Sequence, residues 1–241
     1  MILIENLKKS LGGKSVLHGL TLDIPVGQSL ALLGISGSGK TTLLKCLCGI
    51  LKPDSGMIQF NSTELKPENL KKIRQTLGYV IQDGGLFPHL TLLENIELIG
   101  REANLDAGTI SSKTKELADL VKLPFEILNR YPRQVSGGQR QRVGLMRALF
   151  LDPSYLLLDE PLGALDPITR YELQNELKEL FGRLNKTVIL VTHDLTEARR
   201  LCQRIVLLND GVIVQDATMQ DLIQNPSSDF VRRFLQAQDA I

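Results

Sequence analysis

The chain has 241 residues, 43% of them hydrophobic and 23% charged, with a formal net charge of +1. That is enough for one large domain or two small ones with a packed core. The charge balance supplies no field that would draw nucleic acid or an anionic membrane surface, and no apolar run approaches the roughly 18–20 residues that span a bilayer. The opening MILIEN is short and soon charged, so it is not expected to be a secretory signal. Cys46 and Cys48 lie two apart in a helix-forming run and so face different ways, which is poor metal geometry. With Cys202 they are expected as reduced, mostly buried thiols. Tryptophan is absent and aromatics make up 5%, so stacking platforms are scarce.

Residues 2–7 and 20–24 alternate as strands do, and 28–33 is a continuous apolar run that reads as a buried strand. Directly after it, 34–42 reads GISGSGKTT and fits the pattern G-x-x-x-x-G-K-[ST]. A helix-forming run follows and ends at Gly49. A glycine turn between strand and helix lets backbone N–H groups converge on one point, and the positive end of the helix adds to their pull on an anion. Lys40 then reaches outer phosphates, and Thr41 offers a hydroxyl to Mg²⁺. The bland alternative is a chance glycine turn, which leaves the agreement of pattern, strand and helix unexplained. Residues 52–56 form a turn before a short strand at 57–60, and 77–81 is another buried strand, ending at Gln82.

From 92 to about 149 the periodicity is helical. Leu92, Leu93, Ile96 and Ile99 share one face, as do Leu117, Leu120 and Val121. Within this helical insertion, Ser136 is a good N-cap, and Gly137 and Gly138 expose N–H groups that an anion can approach, just before Gln139 and a long helix. The chain thus carries two phosphate-binding devices but one Lys40 and one Asp159–Glu160 pair. The mismatch is resolved if the second device serves the nucleotide of another copy in a head-to-tail pair.

Residues 155–158 form a strand with Asp159 and Glu160 at its C-terminal end, the edge where α/β sheets bind ligands. Asp159 would hold Mg²⁺ through its water shell, and Glu160 would polarise an attacking water. The structural alternative for this pair is a solvated turn. The helix at 168–184 carries Leu173, Leu177, Leu180 and Phe181 on one stripe. The strand at 188–191 leads to His193, read as a contact to a terminal phosphate, or else as a structural histidine at a strand end. His18 and His89 read as surface or loop residues. Strands at 205–208 and 212–214 and two short helices complete the chain, with no room expected behind the core for a regulatory domain. Apolar strands alternating with helices imply a parallel sheet covered on both faces.

GISGSGKTT, the Gln82 loop, VSGGQ, YLLLDE, the 163–166 turn GALD and His193 stand in this order, and in this the chain resembles ATP-binding cassette ATPases. The resemblance covers nearly the whole chain. It implies an α/β fold with a RecA-like P-loop NTPase core and mostly parallel sheet, an N-terminal antiparallel β part and an inserted helical subdomain. The core would comprise 1–85 and 152–241 and the helical subdomain 86–151. It implies ATP and Mg²⁺ as cofactors. Gly34, Ser36, Gly37, Ser38, Gly39, Lys40, Thr41 and Thr42 would bind the phosphates, with Thr41, Gln82 and Asp159 at the metal. Glu160, His193 and Gln82 would be catalytic. Ser136, Gly137, Gly138 and Gln139 would contact the opposite ATP, and Asp166 would cross the dimer. The implied partners are a second ATPase subunit, most simply an identical one, an integral membrane permease and, indirectly, a substrate-binding protein, with no nucleic acid. The implied location is the cytoplasmic face of the membrane, held through the permease.

Narrower runs resemble bacterial importers: GYVIQ at 78–82 and GLFPHLT at 85–91. EPLGALDPITR at 160–170 resembles the branch serving glycine betaine, choline and related osmoprotectants. Two departures stand out. Leu11 occupies the place where the family stacks an aromatic ring on adenine, and Val135 replaces the usual leucine before Ser136. Other readings are a cassette ATPase for a polar amino acid, a lipid or an exported compound, a soluble cassette ATPase acting on DNA or ribosomes, and a small-molecule kinase. Gln139 and its neighbours would have no use in a kinase.

Overall fold

The structure is a computed structural model that describes residues 1–163 and 165–238. Ala164, part of the expected 163–166 turn, lies outside the described residues. In chain order the elements are β1 (Ile2–Leu11), β2 (Lys14–Ile24), β3 (Ser29–Leu33), α1 (Lys40–Leu47), β4 (Ser55–Phe60), β5 (Thr63–Glu64), α2 (Leu70–Arg74) and β6 (Leu77–Val80). Then come α3 (Leu92–Glu102), α4 (Ala107–Leu120), α5 (Gly137–Leu149), β7 (Tyr155–Asp159), α6 (Pro167–Leu184), β8 (Thr187–Val191) and α7 (Leu195–Leu201). The last are β9 (Arg204–Asn209), β10 (Val212–Ala217), α8 (Met219–Gln224) and α9 (Asp229–Gln236). They fall into two compact units, Met1–Arg74 with Asn185–Ile241, and Gln75–Leu184.

The first unit holds an antiparallel sheet in the order β2-β1-β4-β5. Its β1–β2 hairpin turns on Gly12 and Gly13, with φ of +56° and +81°, the backbone that a two-residue primed turn demands. In the same unit β3 lies between β8 and β9, parallel to both, and β10 closes the edge antiparallel to β9. Leu30, Ala31, Leu32 and Leu33 are all buried, which explains why β3 reads as a continuous apolar run rather than an alternating one. Helices α7, α8 and α9 pack on it. Ala31, Leu33, Ile205 and Leu207 meet Leu195, Leu222, Val231 and Leu235 in one buried cluster. Each leucine or valine so buried contributes roughly 1.5–3 kcal/mol.

The second unit pairs β6 with β7 in parallel, Tyr79 opposite Leu157 and Val80 opposite Leu158. Every residue of β7 is buried. Helix α5 runs close to β6: a Cβ on Gly78 would lie 2.5 Å from the Ala148 carbonyl oxygen, so only glycine fits there. Helix α3 starts on a complete capping box between Thr91 and Glu94. Leu173, Leu177 and Leu180 of α6 are buried, the stripe read from the sequence, and Arg142 of α5 makes a two-pronged ion pair with Glu176 of α6 at 2.9 and 3.1 Å. Strand β5, two residues long, is too short to leave a periodic signal. Strand β2 starts earlier than its apolar alternation because Lys14, Ser15 and His18 are exposed.

Candidate functional site

In the first unit the chain leaves β3 at Gly34, whose φ is +150°. A Cβ there would meet the Leu208 carbonyl oxygen at 2.2 Å, so glycine is obligatory. The loop exposes Ile35, Ser36 and Gly37 and buries Ser38, Gly39 and Lys40. It is tied down by Ser38 N–H to the Ile35 carbonyl at 3.2 Å and by Gly211 N–H to the Ser38 carbonyl at 3.1 Å. Gly39, with φ +104°, is the N-cap of α1, and no side chain caps the helix. Thr41 and Thr42 sit half-buried in the first turn. The Lys40 ammonium donates to the carbonyls of Gly34 at 2.8 Å and Ile35 at 2.9 Å, and weakly to Ser38 Oγ at 3.5 Å. A buried cation held over a ring of loop backbone, at a helix start with no internal cap, is an arrangement built for an anion.

The same unit presents His193 on an exposed bend after β8. Leu11 is exposed at the β1–β2 hairpin tip, opposite Lys14. His18 and His89 are both exposed. Cys46 and Cys48 are buried and Cys202 is half-buried. Burial pushes the Cys46 thiol up to about 11, and burial with the nearby Glu197 charge pushes Cys202 up too, so both stay protonated and inert.

In the second unit β7 delivers Asp159 as its last residue, 8% exposed, and accepting from the Tyr79 hydroxyl at 3.3 Å. Glu160 follows in the left-handed region with φ +46°. A non-glycine residue held there is strained, and such strain gathers where a side chain must be aimed. Gly163 stands close to Glu160 and Gln82: a Cβ on it would lie 3.6 Å from Glu160 Oε2 and 3.8 Å from Gln82 Nε2. Gln82 is exposed and opens a 3₁₀ turn, Gln82–Gly85, whose Gly84 is buried against α5. A Cβ on Gly84 would meet the Arg140 carbonyl oxygen at 2.7 Å, and Arg147 donates to the carbonyls of Gly84 at 3.1 Å and Gly85 at 2.6 Å. Gln82, Asp159 and Glu160 are therefore gathered at the C-terminal ends of β6 and β7. Among the described residues no three His, Cys, Asp or Glu groups converge to cage a metal. Carboxylates beside amide and hydroxyl groups form an oxygen-rich set that suits Mg²⁺, which keeps waters and takes phosphate oxygens.

Ser136 caps α5 as its residue type indicates. Its Oγ accepts from the Gln139 amide at 3.2 Å, and Gln139 Oε1 accepts from the Ser136 amide at 3.0 Å. The two glycines have packing duties. A Cβ on Gly138 would lie 2.7 Å from Thr169 Cγ2, and one on Gly137 3.0 Å from Leu165 Cδ2. Asp166 is exposed and caps α6, accepting from the Thr169 amide at 3.1 Å.

A family model described as ABC transporter matches residues 17–163. The chain belongs to the ABC transporter family. It is 44% identical to the carnitine transport ATP-binding protein OpuCA of Listeria monocytogenes, over 98% of this chain and 59% of that protein. It is also 44% identical to the sulfate/thiosulfate import ATP-binding protein CysA 2 of Agrobacterium fabrum, over 97% and 68%. The chain spans about three fifths of the length of the first curated relatives it matches. The dimeric structure of MJ0796, a bacterial ABC transporter cassette, superposes with a TM-score of 0.82 at 34% identity, covering 91% of this chain and 99% of that one. The fold is thus the RecA-like α/β cassette that the motif order implied. No helix among the described residues is long and apolar enough to cross a membrane.

Three contributors to this ABC cassette escaped sequence reasoning. Tyr79 reaches Asp159 only because β6 and β7 pair in register, which no single run reveals. Thr192 and Glu197 shape the His193 bend. The spacing from Asp194 to Glu197, an N-cap type with a glutamate three residues on, was a readable signal for that helix start.

Proposed function

We propose that this chain is the ATP-hydrolysing subunit of an ABC importer, working as a sandwich of two copies on the cytoplasmic face of a membrane and held there by an integral permease. The observation that carries the reading is the loop from Gly34 to Lys40, anchored on both sides and open at the start of α1. Gly37, Gly39, Thr41 and Thr42 offer backbone amides to the phosphates, Ser36 and Ser38 shape the loop, and Lys40 neutralises the outer phosphate oxygens. Bound Mg²⁺ would offset phosphate charge, with Thr41, Gln82 and Asp159 to hold it. Glu160 takes a proton from the attacking water, while Gln82 and His193 orient that water and the terminal phosphate. Leu11 covers the adenine by apolar contact. Ser136, Gly137, Gly138 and Gln139 serve the ATP of the second copy, and Asp166 lies at that copy's boundary. Hydrolysis removes the bridge, and the helical stretch 86–151 with the Gln82 turn passes the motion to the permease.

The solute class we favour is a quaternary amine, supported by EPLGALDPITR at 160–170 and by the likeness to a carnitine transport protein. A second reading, a different small solute, is favoured by equal identity to a sulfate/thiosulfate import protein. Two measurements test the proposal. Purified chain with MgATP should release phosphate, and Lys40→Ala should abolish the release. Tagged chain recovered from membranes of its own cells should bring down one multi-spanning protein, whose neighbouring binding protein can be assayed with choline, glycine betaine, carnitine and sulfate. Undiminished phosphate release by Lys40→Ala, or recovery without a permease, would overturn it.

A further inference from the structure

The bend that presents His193 is held from both sides by its neighbours. One residue earlier, the Thr192 amide donates to the Leu32 carbonyl at 3.2 Å, so the backbone is still tied to β3. The Thr192 hydroxyl donates to Glu197 Oε2 and accepts from the Asp194 amide at 3.0 Å, so it reaches across His193. One residue later, Asp194 Oδ1 accepts from the amides of Thr196 at 2.7 Å and Glu197 at 3.1 Å and caps α7. Thr192 and Glu197 are 2% and 4% exposed, while His193 between the anchored residues is exposed.

This is a capping box with an extra member. In the ordinary box the glutamate at the third helical position bonds directly back to the N-cap amide. Helix α3 does just that, with Glu94 accepting from the Thr91 amide at 2.7 Å. At α7 the third-position glutamate is Glu197, and a threonine hydroxyl is inserted between it and the Asp194 amide. Capping alone does not call for the insertion, nor for burying the carboxylate, which is costly unless it is well hydrogen-bonded. What the insertion adds is a brace around His193. We propose that Glu197 is a positioning residue for His193, acting through the Thr192 hydroxyl, which holds the peptide that follows that histidine while the Thr192 amide ties the residue before it to β3. The inference rests on the ATPase reading above, in which His193 orients the terminal phosphate. Small misplacements of an orienting group lower the rate of the chemical step more than they weaken substrate binding.

The test uses the full chain and four variants. Thr192→Val removes the hydroxyl, and Thr192→Ser keeps it. Glu197→Met removes the acceptor, and Glu197→Gln keeps one. The chain has three histidines, so imidazole NMR signals are assigned with His18→Gln and His89→Gln backgrounds. Without nucleotide, Thr192→Val and Glu197→Met should move the His193 signals and leave those of His18 and His89 in place, and Thr192→Ser should restore them. With MgATP, Thr192→Val should lower kcat by about tenfold or more with KM within about twofold, and Thr192→Ser should recover most of the rate. Unmoved His193 signals in Thr192→Val would overturn the brace. Moved signals with an unchanged kcat would overturn its catalytic meaning. A fall in kcat that tracks a general loss of folding, with all three histidines affected alike, would reduce it to a structural contact. If Glu197→Met does not fold, the Thr192 pair decides. If the unmodified chain hydrolyses no ATP, the proposed function fails, and the NMR comparison still decides the brace.

Discussion

At the start of α1 no side chain caps the helix: Gly39 takes the N-cap position in left-handed backbone, and the Lys40 ammonium folds over the loop carbonyls. At the start of α5 the cap is complete, because Ser136 and Gln139 satisfy each other's amides within the chain. Both turns are glycine-bearing, yet the glycines do different work. Gly34 is required by the backbone of Leu208, whereas Gly137 and Gly138 make room for side chains near the start of α6. A turn without a side-chain cap leaves the helix start open to an anion, with the Lys40 ammonium to be turned from the loop carbonyls toward it. A capped turn has already committed the Ser136 and Gln139 amides and is left with the Ser136 hydroxyl proton and the Gly137 and Gly138 amides to offer a phosphate. The first is therefore expected to bind nucleotide in the single chain, and the second only when a second copy brings the phosphate to it.

The largest effect that can break this contrast is on the chemistry. Glu160→Gln should lower ATP turnover by about 10²–10⁴-fold, the usual worth of a general base, and should accumulate ATP-bound dimers. Phosphate release measures the first and size-exclusion chromatography the second. A variant that stays monomeric with saturating ATP would show that the Ser136 turn does not receive a second nucleotide.

Next in size is a pair of stability measurements on the uncapped loop. Gly34→Ala forces a Cβ to within 2.2 Å of a backbone oxygen, and Gly37→Ala adds one in open space at φ +79°. The second should cost about 1–3 kcal/mol of backbone strain, and the first more than that. For a chain of this size each kcal/mol lowers Tm by about 2–4 °C, so calorimetry separates the two readily. Equal costs would mean that Leu208 does not press on Gly34.

Ligand affinity gives a finer test. Leu11→Tyr supplies the ring that the exposed hairpin tip lacks, and base–aromatic stacking is worth about 1–3 kcal/mol. Leucine already covers part of a ring by apolar contact, so about half of that gain, a roughly tenfold tighter binding of ATP, is expected by calorimetry. Equal affinity would place the adenine elsewhere. Ser136→Ala removes an N-cap worth about 1 kcal/mol of folding stability, and it should weaken ATP-driven dimerisation while leaving ATP binding to the single chain intact.

These elements were legible in the sequence to different depths. The buried strands 29–33, 155–159 and 187–191 announced themselves because strands covered on both faces must be apolar throughout. The Ser136 cap was readable because its hydrogen bonds close within three residues. Contacts that depend on pairing or packing were not. Tyr79 on Asp159 needs the β6–β7 register, and the second duty of Gly138 needs Thr169 brought to it by the fold. The left-handed Glu160 is likewise invisible, since glutamate carries no preference for that backbone and only the surrounding structure imposes it. The pattern of the 34–42 loop was legible because it is local, one strand end, one helix start and the residues joining them, but the press of the Leu208 carbonyl on Gly34 was not.

Asp166 offers the smallest effect, and it separates a helix cap from a dimer contact. Hydrogen bonds from the Thr169 side chain and amide hold its carboxyl below the usual carboxylate range. A carboxyl depressed in the folded chain adds stability above its unfolded pKa of about 3.9, and that stability is lost as pH falls through the lower folded value. Asp166→Asn keeps an N-cap oxygen but cannot titrate, so its stability should fall less steeply with acid than that of the unmodified chain, with the two converging below the folded pKa. The group is fully exposed, so solvent screening keeps this difference small. Denaturant midpoints measured from pH 6 down to pH 3 read it directly. The same variant with ATP at neutral pH addresses the other role. If Asp166 serves only α6, the dimer fraction stays at its unmodified value. If it also meets the second copy, loss of the negative charge lowers that fraction while the cap persists.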